Sequence, residues 1–235
     1  MSKANLPINY QEELLKEAQE ISKRIAAPSG DRIKVDSHGF TLPDGTSGEE
    51  MHVVVVDFLS SNVYFDRPYN KDNPTPPACF AIGREPTTLV PSENSPVRQA
   101  DACAGCPLNQ FGTAMTGKGK ACKNTRLVAV MPLKAVTENQ EDAPIYIMQV
   151  PPTSLKVFDK YVSSLAARFK MSPIGVATKI APNKALDYAA PLFDVVRPLQ
   201  DEEIAFAMSR RSEATERLVA EPDVSTYEAP PKRGR

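Results

Sequence analysis

The sequence predicts a mixed α+β protein, built on a five-stranded barrel that carries a cysteine-bearing insertion between its first two strands and has a helix at each end. The chain of 235 residues is 41% hydrophobic and 24% charged, as in an ordinary globular domain. From residue 50 onward, strand and helix signals follow in the order strand, insertion, strand, strand, helix, strand, strand. The insertion contains all four cysteines and lacks strong hydrophobic periodicity.

A helix is predicted in the N-terminal segment, residues 1–30. Apolar side chains recur at helical spacing over 10–25, and the Ala-Pro-Ser-Gly sequence at 27–30 ends the stripe. Two short strands joined by turns are expected over 32–36 and 39–45.

The predicted core domain extends over residues 31–200. Its first long strand, Met51 to Leu59, is β-branched and nearly continuous, so we expect both of its faces to be covered. The insertion occupies 60–125, where prolines are frequent. A structureless segment of this length needs another source of order, such as a bound metal.

Regular structure is predicted again after the insertion. Polar residues at 137–142 form a link, and Pro151 to Ser154 provide a break and a helix N-cap. The last helix, 201–221, is charged and moderately amphipathic, and 222–235 reads as a flexible polar tail. The remaining predicted elements are strands at 126–131, 144–150, 174–180 and 191–196, and a helix at 155–169.

The cysteine spacing is typical of a metal site. Cys103 and Cys106 form a Cys-x-x-Cys pair, Cys122 follows the pair, and Cys79 lies upstream. A Cys-x-x-Cys turn places two sulfurs on one side of a tight loop, at a separation suited to a tetrahedral ion. Two distant cysteines can close such a site. We therefore expect one structural zinc ion that orders the insertion.

Other interpretations of these cysteines stay open: a disulfide pair, a redox-active dithiol, an iron–sulfur cluster, or unconnected free thiols. The sequence begins without a recognisable secretory signal and has no apolar run of bilayer length, so we expect a cytoplasmic protein without a membrane partner. A reducing compartment disfavours disulfides. A redox Cys-x-x-Cys motif belongs in a βαβ context, which the pattern does not indicate.

Positive charge is concentrated around the cysteines, although the net charge of the chain is −1. Between residues 84 and 134 there are seven basic and three acidic residues. Such clustering is what a nucleic-acid role requires in a chain that is not basic overall. A solvated lysine loop is the competing interpretation. The candidate contacts to a phosphate backbone are Lys118, Lys120, Lys123 and Arg126.

Aromatic residues are interleaved with the basic insertion, as in proteins that stack single-stranded bases on exposed rings. Tyr64, Tyr69 and Phe111 lie among polar residues, and we expect them to be exposed stacking rings. We expect Phe58 and Phe80 to be buried.

Residues 112–119 come close to the phosphate-binding P-loop. That motif needs Ser or Thr after its lysine as a magnesium ligand, and Gly119 occupies this position. The flanking residues also lack the strand and helix that the motif requires. With two histidines in the chain, no Ser-His-Asp or Cys-His arrangement is evident, so no catalytic activity is predicted.

The predicted element order is that of an OB fold, a five-stranded Greek-key barrel whose helix lies between strands three and four. The loop between strands one and two of that barrel is one of the two that embrace oligonucleotides, and here it is the basic insertion. We therefore expect sequence-tolerant binding of single-stranded DNA. A zinc-stabilised adaptor protein is the alternative, and a nuclease-like enzyme is less favoured.

Three segments of the insertion are distinctive: Pro77-Ala-Cys79-Phe, Cys103-x-x-Cys106-Pro-x-Asn-x-Phe-Gly and Gly117-Lys-Gly-Lys-Ala-Cys122-Lys. Through them the chain resembles a group of largely uncharacterised tailed-bacteriophage proteins, over roughly residues 50 to 180. The resemblance implies a role in phage DNA replication or recombination in the bacterial host cytoplasm, with replication or recombination proteins as possible partners. An adaptor of this kind would bind a host or phage protein. The chain is more distantly similar to zinc-containing single-strand binding proteins of large phages, in which a metal subdomain accompanies an OB fold.

Overall fold

A computed structural model describes residue 10 and residues 30–68, 74–115 and 117–229. The predicted N-terminal helix beyond Tyr10, the candidate ring Tyr69 and the end of the predicted tail lie outside these ranges. The described chain has mixed α+β structure, with a curled half-barrel sheet and few helices. In these ranges, no helix is long and apolar enough to cross a membrane.

The described residues contribute nine strands to one sheet. The strands are β1 (Arg32–Val35), β2 (Phe40–Thr41), β3 (Ser47–Gly48), β4 (Met51–Tyr64), β5 (Cys79–Gly83), β6 (Lys123–Pro132), β7 (Tyr146–Val150), β8 (Val176–Pro182) and β9 (Pro191–Pro198). Their order is β3-β2-β1-β7-β6-β4-β8-β9, and β5 also pairs with β4. The pair formed by β1 and β7 is parallel, and the other pairs are antiparallel.

Strand β4 is the centre of the sheet because both of its edges are paired. One edge pairs with β6 from Val53 to Val63. The opposite edge pairs with β8 from Met51 to Val54 and with β5 from Ser60 to Tyr64. The β-branched part of β4 is buried on both faces, which confirms the covered strand that the sequence predicts.

A β-bulge between Val55 and Asp57 changes the alternation of side chains along β4. Before the bulge, Val55 faces one apolar core and Val54 faces the other. Beyond it, Phe58 continues the first core and Leu59 the second. The extra residue bends the strand, and both faces stay apolar through the bend.

Helices cover both faces of the sheet. They are α1 (Leu133–Thr137), α2 (Leu155–Phe169), α3 (Asp201–Ser209) and α4 (Arg211–Leu218). Helix α2 places Phe158, Tyr161 and Leu165 in the core on one face. Helices α1, α3 and α4 pack on the other face, where Leu218 is fully buried. The sheet is therefore the middle of three layers.

Three predicted boundaries differ from the structure. The single C-terminal helix is two helices, because Arg210 leaves helical geometry at φ −91° and ψ 0°. Its side chain holds that corner by donating to Glu213 and to the carbonyl of Glu141. Helix α1 begins before the predicted polar link. The segment 60–125 also contains regular structure, because β4 continues into it, β5 lies within it and β6 begins before its end.

The strands after residue 50 form a continuous part of the sheet. Strands β7, β6, β4, β8 and β9 are neighbours in that order, and α2 connects β7 to β8. The outer edge of β7 pairs with β1, through Arg32 with Ile147. Thr153, just after β7, donates from its hydroxyl to the carbonyl of Ala189 in the β8–β9 connection.

Candidate metal centre and nucleic-acid interface

The four cysteines line one small cavity, which we call the thiol cavity, with a volume of about 10 Å³. All four are buried and free. Cys79 begins β5 and Cys122 directly precedes β6, whereas Cys103 and Cys106 come from the loop between these strands. The structure thus brings together the four cysteines that sequence spacing selects.

Strand register explains how Cys79 and Cys122 reach the same cavity. Cys79 pairs with Tyr64 across β5 and β4. On the other edge of β4, Val63 pairs with Lys123. Because the strands are antiparallel, Cys122, one residue before Lys123, comes to lie beside Tyr64, one residue after Val63. Directly opposed residues in a sheet project from the same face. The two cysteines therefore flank Tyr64 on one face of the sheet.

Strand β5 is held on its second edge by the loop that follows it. The Ser95 hydroxyl accepts from the Phe80 amide at 3.0 Å and donates to the Phe80 carbonyl at 3.1 Å, as a neighbouring strand would. The Val97 amide donates to the carbonyl of Ala78 at 2.8 Å. Cys79 therefore lies on a strand that is bonded on both sides.

The Cys-x-x-Cys segment is a tight, internally bonded turn. The Cys106 amide donates to the Cys103 carbonyl at 3.4 Å, and the Asn109 amide donates to the Cys106 carbonyl at 3.0 Å. Farther along, the Cys122 amide donates to the carbonyl of Leu108 at 2.9 Å. This last bond ties the two ends of the loop together at the cavity.

Burial disfavours ionisation of two of these thiols, those of Cys103 and Cys122. It raises the pKa of Cys103, and the Asn62 side chain opposes this effect. Burial raises the pKa of Cys122 to about 12, with smaller contributions from the other thiols, and Lys120 opposes it. Several thiolates can coexist here only with added positive charge, which a bound divalent cation supplies.

The donor set agrees with zinc in chemical type. Four free, buried sulfurs line one cavity, and thiolate sulfur is the donor type that closed structural zinc sites use. Among the described residues, no group of three or more His, Cys, Asp and Glu side chains has the arrangement of a metal site. The four cysteines share the lining of this cavity.

Three asparagines that sequence reasoning missed connect the cavity to Lys120. The Lys120 ammonium donates to Asn124 Oδ1 at 3.0 Å and to Asn109 Oδ1 at 3.2 Å. Asn124 Nδ2 donates to Asn62 Oδ1 at 2.6 Å. Asn109 Nδ2 donates to the Cys103 carbonyl at 2.8 Å. The sequence signal was weak: Asn62 lies three residues after the strongly β-branched stretch that ends at Leu59.

Residues 110–123, which we call the lysine loop, carry an exposed apolar tip. Gly112 and Gly117 have φ values of +88° and +74°, which side chains other than glycine rarely adopt. These turns support Phe111, which is 81% exposed, and Met115, which is 89% exposed. The Lys120 ammonium lies 5.2 Å from the centroid of the Phe111 ring.

The predicted basic residues separate into two groups. Lys118 and Lys123 are exposed on the lysine loop, and Lys120 is half-buried there. Arg126 lies on β6, where its side chain is only 11% exposed and pairs with Asp159 of α2 at 3.4 Å. The three lysines therefore share the lysine loop with Phe111, whereas the side chain of Arg126 pairs with helix α2.

The predicted stacking rings also separate. Phe111 is exposed as expected, whereas Tyr64 is half-buried, and burial raises its pKa. Phe80 is buried as predicted. Phe58 is partly buried and packs edge-to-face on Phe158 with ring centroids 5.1 Å apart.

The described residues that follow α4 contact the insertion. The Glu221 carboxylate accepts from the Ser92 hydroxyl at 2.5 Å and from Asn94 Nδ2 at 2.6 Å. The Tyr227 hydroxyl donates to Asp66. Polar contacts hold this segment in place of the apolar contacts that its composition lacks.

Comparisons with known proteins indicate no family for this chain. No family model, curated protein or solved structure matches the chain. The chemistry on which a function can be built is therefore the set of four converging thiols and the exposed ring and lysines beside them.

Proposed function

We propose that this protein binds single-stranded DNA without catalysing a reaction on it. We also propose that one zinc ion, held by Cys79, Cys103, Cys106 and Cys122, orders the binding loop. The observation that carries the proposal is the 81% exposed ring of Phe111, which shares the lysine loop with Lys118 and Lys123. Proteins that bind single strands combine such rings with cations along the backbone path.

The exposure of Phe111 supports a ligand-binding role, because a large apolar ring is normally buried in a core. Lys120 lies close to the ring and also donates hydrogen bonds to Asn109 and Asn124, so the segment that carries the ring is held in place by these contacts. A base that stacks on this ring would place its phosphates within reach of flexible lysine side chains.

The arrangement of strands supports an OB-like origin for the sheet. Strands β4, β6 and β7, helix α2, then β8 and β9 follow the element order of that fold, with the insertion between strands one and two. We propose an OB-like barrel opened along β7, where β1 is the pairing partner. The role in phage replication or recombination, in the cytoplasm of a bacterial host, is proposed from the cysteine-segment resemblance.

A second candidate function is a zinc-stabilised adaptor that binds a host or phage protein. Met115, which is 89% exposed, favours it, because Met and Phe are frequent anchors in protein interfaces. Lysines at the rim would then contribute to the rate of association rather than to stacking.

A titration with a single-stranded oligonucleotide at two salt concentrations tests the proposal, together with metal analysis of the purified protein. We expect one zinc per chain and binding that weakens as salt rises. Phe111→Ala should weaken binding by about 1–3 kcal/mol with little change in the salt dependence, because stacking releases no counterions. The double substitution Lys118→Met and Lys123→Met should instead flatten the salt dependence by less than about two units of slope.

Zinc content is measured for every variant, because the lysine loop lies beside the metal. Lys134→Met is a matched control, since Lys134 is 81% exposed but lies in helix α1. Parent protein that holds zinc yet shows no salt-dependent affinity for single strands would refute DNA binding and favour the adaptor.

A further inference from the structure

A directional chain of hydrogen bonds runs from Lys120 toward the thiol cavity. An ammonium group only donates hydrogen bonds, so the atom of Asn124 that lies 3.0 Å from Lys120 must be its Oδ1 oxygen. The Nδ2 group of Asn124 is thereby turned to Asn62, 2.6 Å away. Because the Lys120 ammonium cannot accept a hydrogen bond, it fixes which way each amide in this series of hydrogen bonds is turned.

Asn62 passes this orientation on to the cavity. Its Oδ1 already accepts from Asn124, so its Nδ2 is the atom left for another partner. The side chain is buried, with 5% of the residue exposed, and it lines the thiol cavity together with Cys103. Cys103 is the thiol of this lining that the Asn62 side chain approaches.

We infer that Asn62 donates a hydrogen bond from Nδ2 to Sγ of Cys103 and thereby positions this sulfur as a zinc ligand, with Asn124 and Lys120 fixing the direction of the donor. The inference rests on the proposed zinc site. Asn62 is a positioning residue, because it acts through Cys103 and does not itself contact the metal.

The electrostatics of a four-thiolate site favour such a donor. Zinc with four thiolates carries a net charge of about −2, and hydrogen bonds from the surrounding shell stabilise the charge on the sulfurs. Lys120 contributes a positive charge to the same region and opposes the raised pKa of Cys122. The chain thus supplies both a donor and a cation on one side of the cavity.

The same lysine couples the metal to the exposed ring. Lys120 donates hydrogen bonds to Asn109, in the loop that contains Cys103 and Cys106, and to Asn124 of β6. Its ammonium group also lies over the ring of Phe111. A change at the cavity that releases Lys120 therefore also removes a support of Phe111. Zinc occupancy would in this way regulate the presentation of the ring to a single strand.

Zinc affinity, measured by competition with a chromophoric chelator, tests the inference in the full-length protein. We expect Asn62→Leu to weaken zinc binding about 10- to 100-fold, as loss of an outer-shell partner does. Asn62→Asp should weaken it at least as much, because a carboxylate turns an acceptor toward the thiolate. Lys120→Met should weaken it as well, whereas Lys118→Met on the exposed part of the loop is the matched control and should not.

A second readout keeps the test independent of folding defects. Asn124→Asp keeps the acceptor for Lys120 but removes the donor to Asn62, and the Co²⁺-loaded variant should show altered sulfur-to-metal charge-transfer absorption. Parent protein with one zinc, and Asn62 and Asn124 variants within about two-fold of its affinity, would overturn the inference and leave the proposed zinc site standing. Parent protein that binds no zinc would overturn both.

Discussion

Glu203 joins a strand and two helices through one carboxylate. It accepts two hydrogen bonds from Arg197 of β9, each 2.7 Å long, and one from Thr137 of α1 at 2.9 Å. It also accepts from the Gln200 amide at 2.8 Å, completing a capping box at the start of α3. Arg197 is the main reason that the pKa of Glu203 falls to about 2, against the opposing effect of burial.

This carboxylate makes stability depend on pH in a defined window. Because the folded pKa of about 2 lies below the ordinary value, the stabilisation is complete above about pH 4.5 and is lost as pH falls toward 2. Glu203→Gln should therefore lower the free energy of unfolding at neutral pH by about 2 kcal/mol, with the deficit shrinking below about pH 4.5. Urea unfolding of both proteins over a pH series measures this deficit.

Glu202→Gln is the control, since Glu202 is the exposed neighbour of Glu203 in α3. Its unfolding free energy should stay within about 0.5 kcal/mol of the parent value. If the loss of unfolding free energy in Glu203→Gln does not vary with pH, it comes from altered packing and not from the missing carboxylate charge.

Residues differ in how much the sequence reveals about them. The convergence of the cysteines followed from spacing, because a Cys-x-x-Cys pair has a limited geometry. Asn62 was not predicted, since a buried amide becomes interpretable only when its partners Asn124 and Lys120 are known. The pairing of Arg126 with Asp159 likewise depends on how helix α2 lies across β6.

The tail segment after α4 acts as a strap on the insertion. Deletion of residues 221–235 removes the contacts from Glu221 to Ser92 and Asn94 and from Tyr227 to Asp66. We expect amide exchange in the loop that covers β5 to accelerate, with a local loss of about 1–2 kcal/mol, because each exposed hydrogen bond contributes little. Hydrogen exchange followed by mass spectrometry measures it.

Asp223→Asn is the matched control, because the Asp223 carboxylate accepts from the Ser225 amide within the strap itself, and it should leave this loop unchanged. If amide exchange over residues 92–97 is equally fast in the parent protein and in the 221–235 deletion, the strap does not stabilise this loop.

Elements with their own hydrophobic pattern were predictable, and those that depend on neighbours were not. Strands β6 to β9 and helix α2 were predicted because their apolar residues repeat at strand or helix spacing. The end of β4 reads as polar, yet Ser60, Ser61 and Asn62 are buried because β5 and β6 pair on either side. Strand β5 is short and is surrounded by prolines, so its pattern is too brief to recognise.

The molecule has separate sources of order for its sheet and its insertion. Two large apolar clusters lie on the faces of the sheet, whereas the insertion has a small one formed by Ala81, Leu89 and Cys103. With the proposed zinc ion as the second source, Cys106→Ser or treatment with a chelator should unfold the insertion and leave the sheet protected. Amide exchange resolved along the chain is the measurement.

We expect protection to fall over residues 84–122 and to persist in β6, β7 and β8. A single cooperative loss across sheet and insertion on metal removal would contradict the division. So would a metal-free protein whose insertion exchanges as slowly as that of the parent.

The register of β4 with β6 has a consequence for how such a protein can change over time. The segment between Tyr64 and Lys123, which contributes β5 to the sheet, begins and ends beside the paired residues Val63 and Lys123. Its two ends are therefore held about 5 Å apart, the spacing of neighbouring strands. A hairpin turn of a few residues spans that gap as well as the whole cysteine-bearing segment does. The scaffold can therefore exchange this segment for another without altering the register of its strands, and the segment is in turn transferable to any antiparallel pair that offers the same two ends.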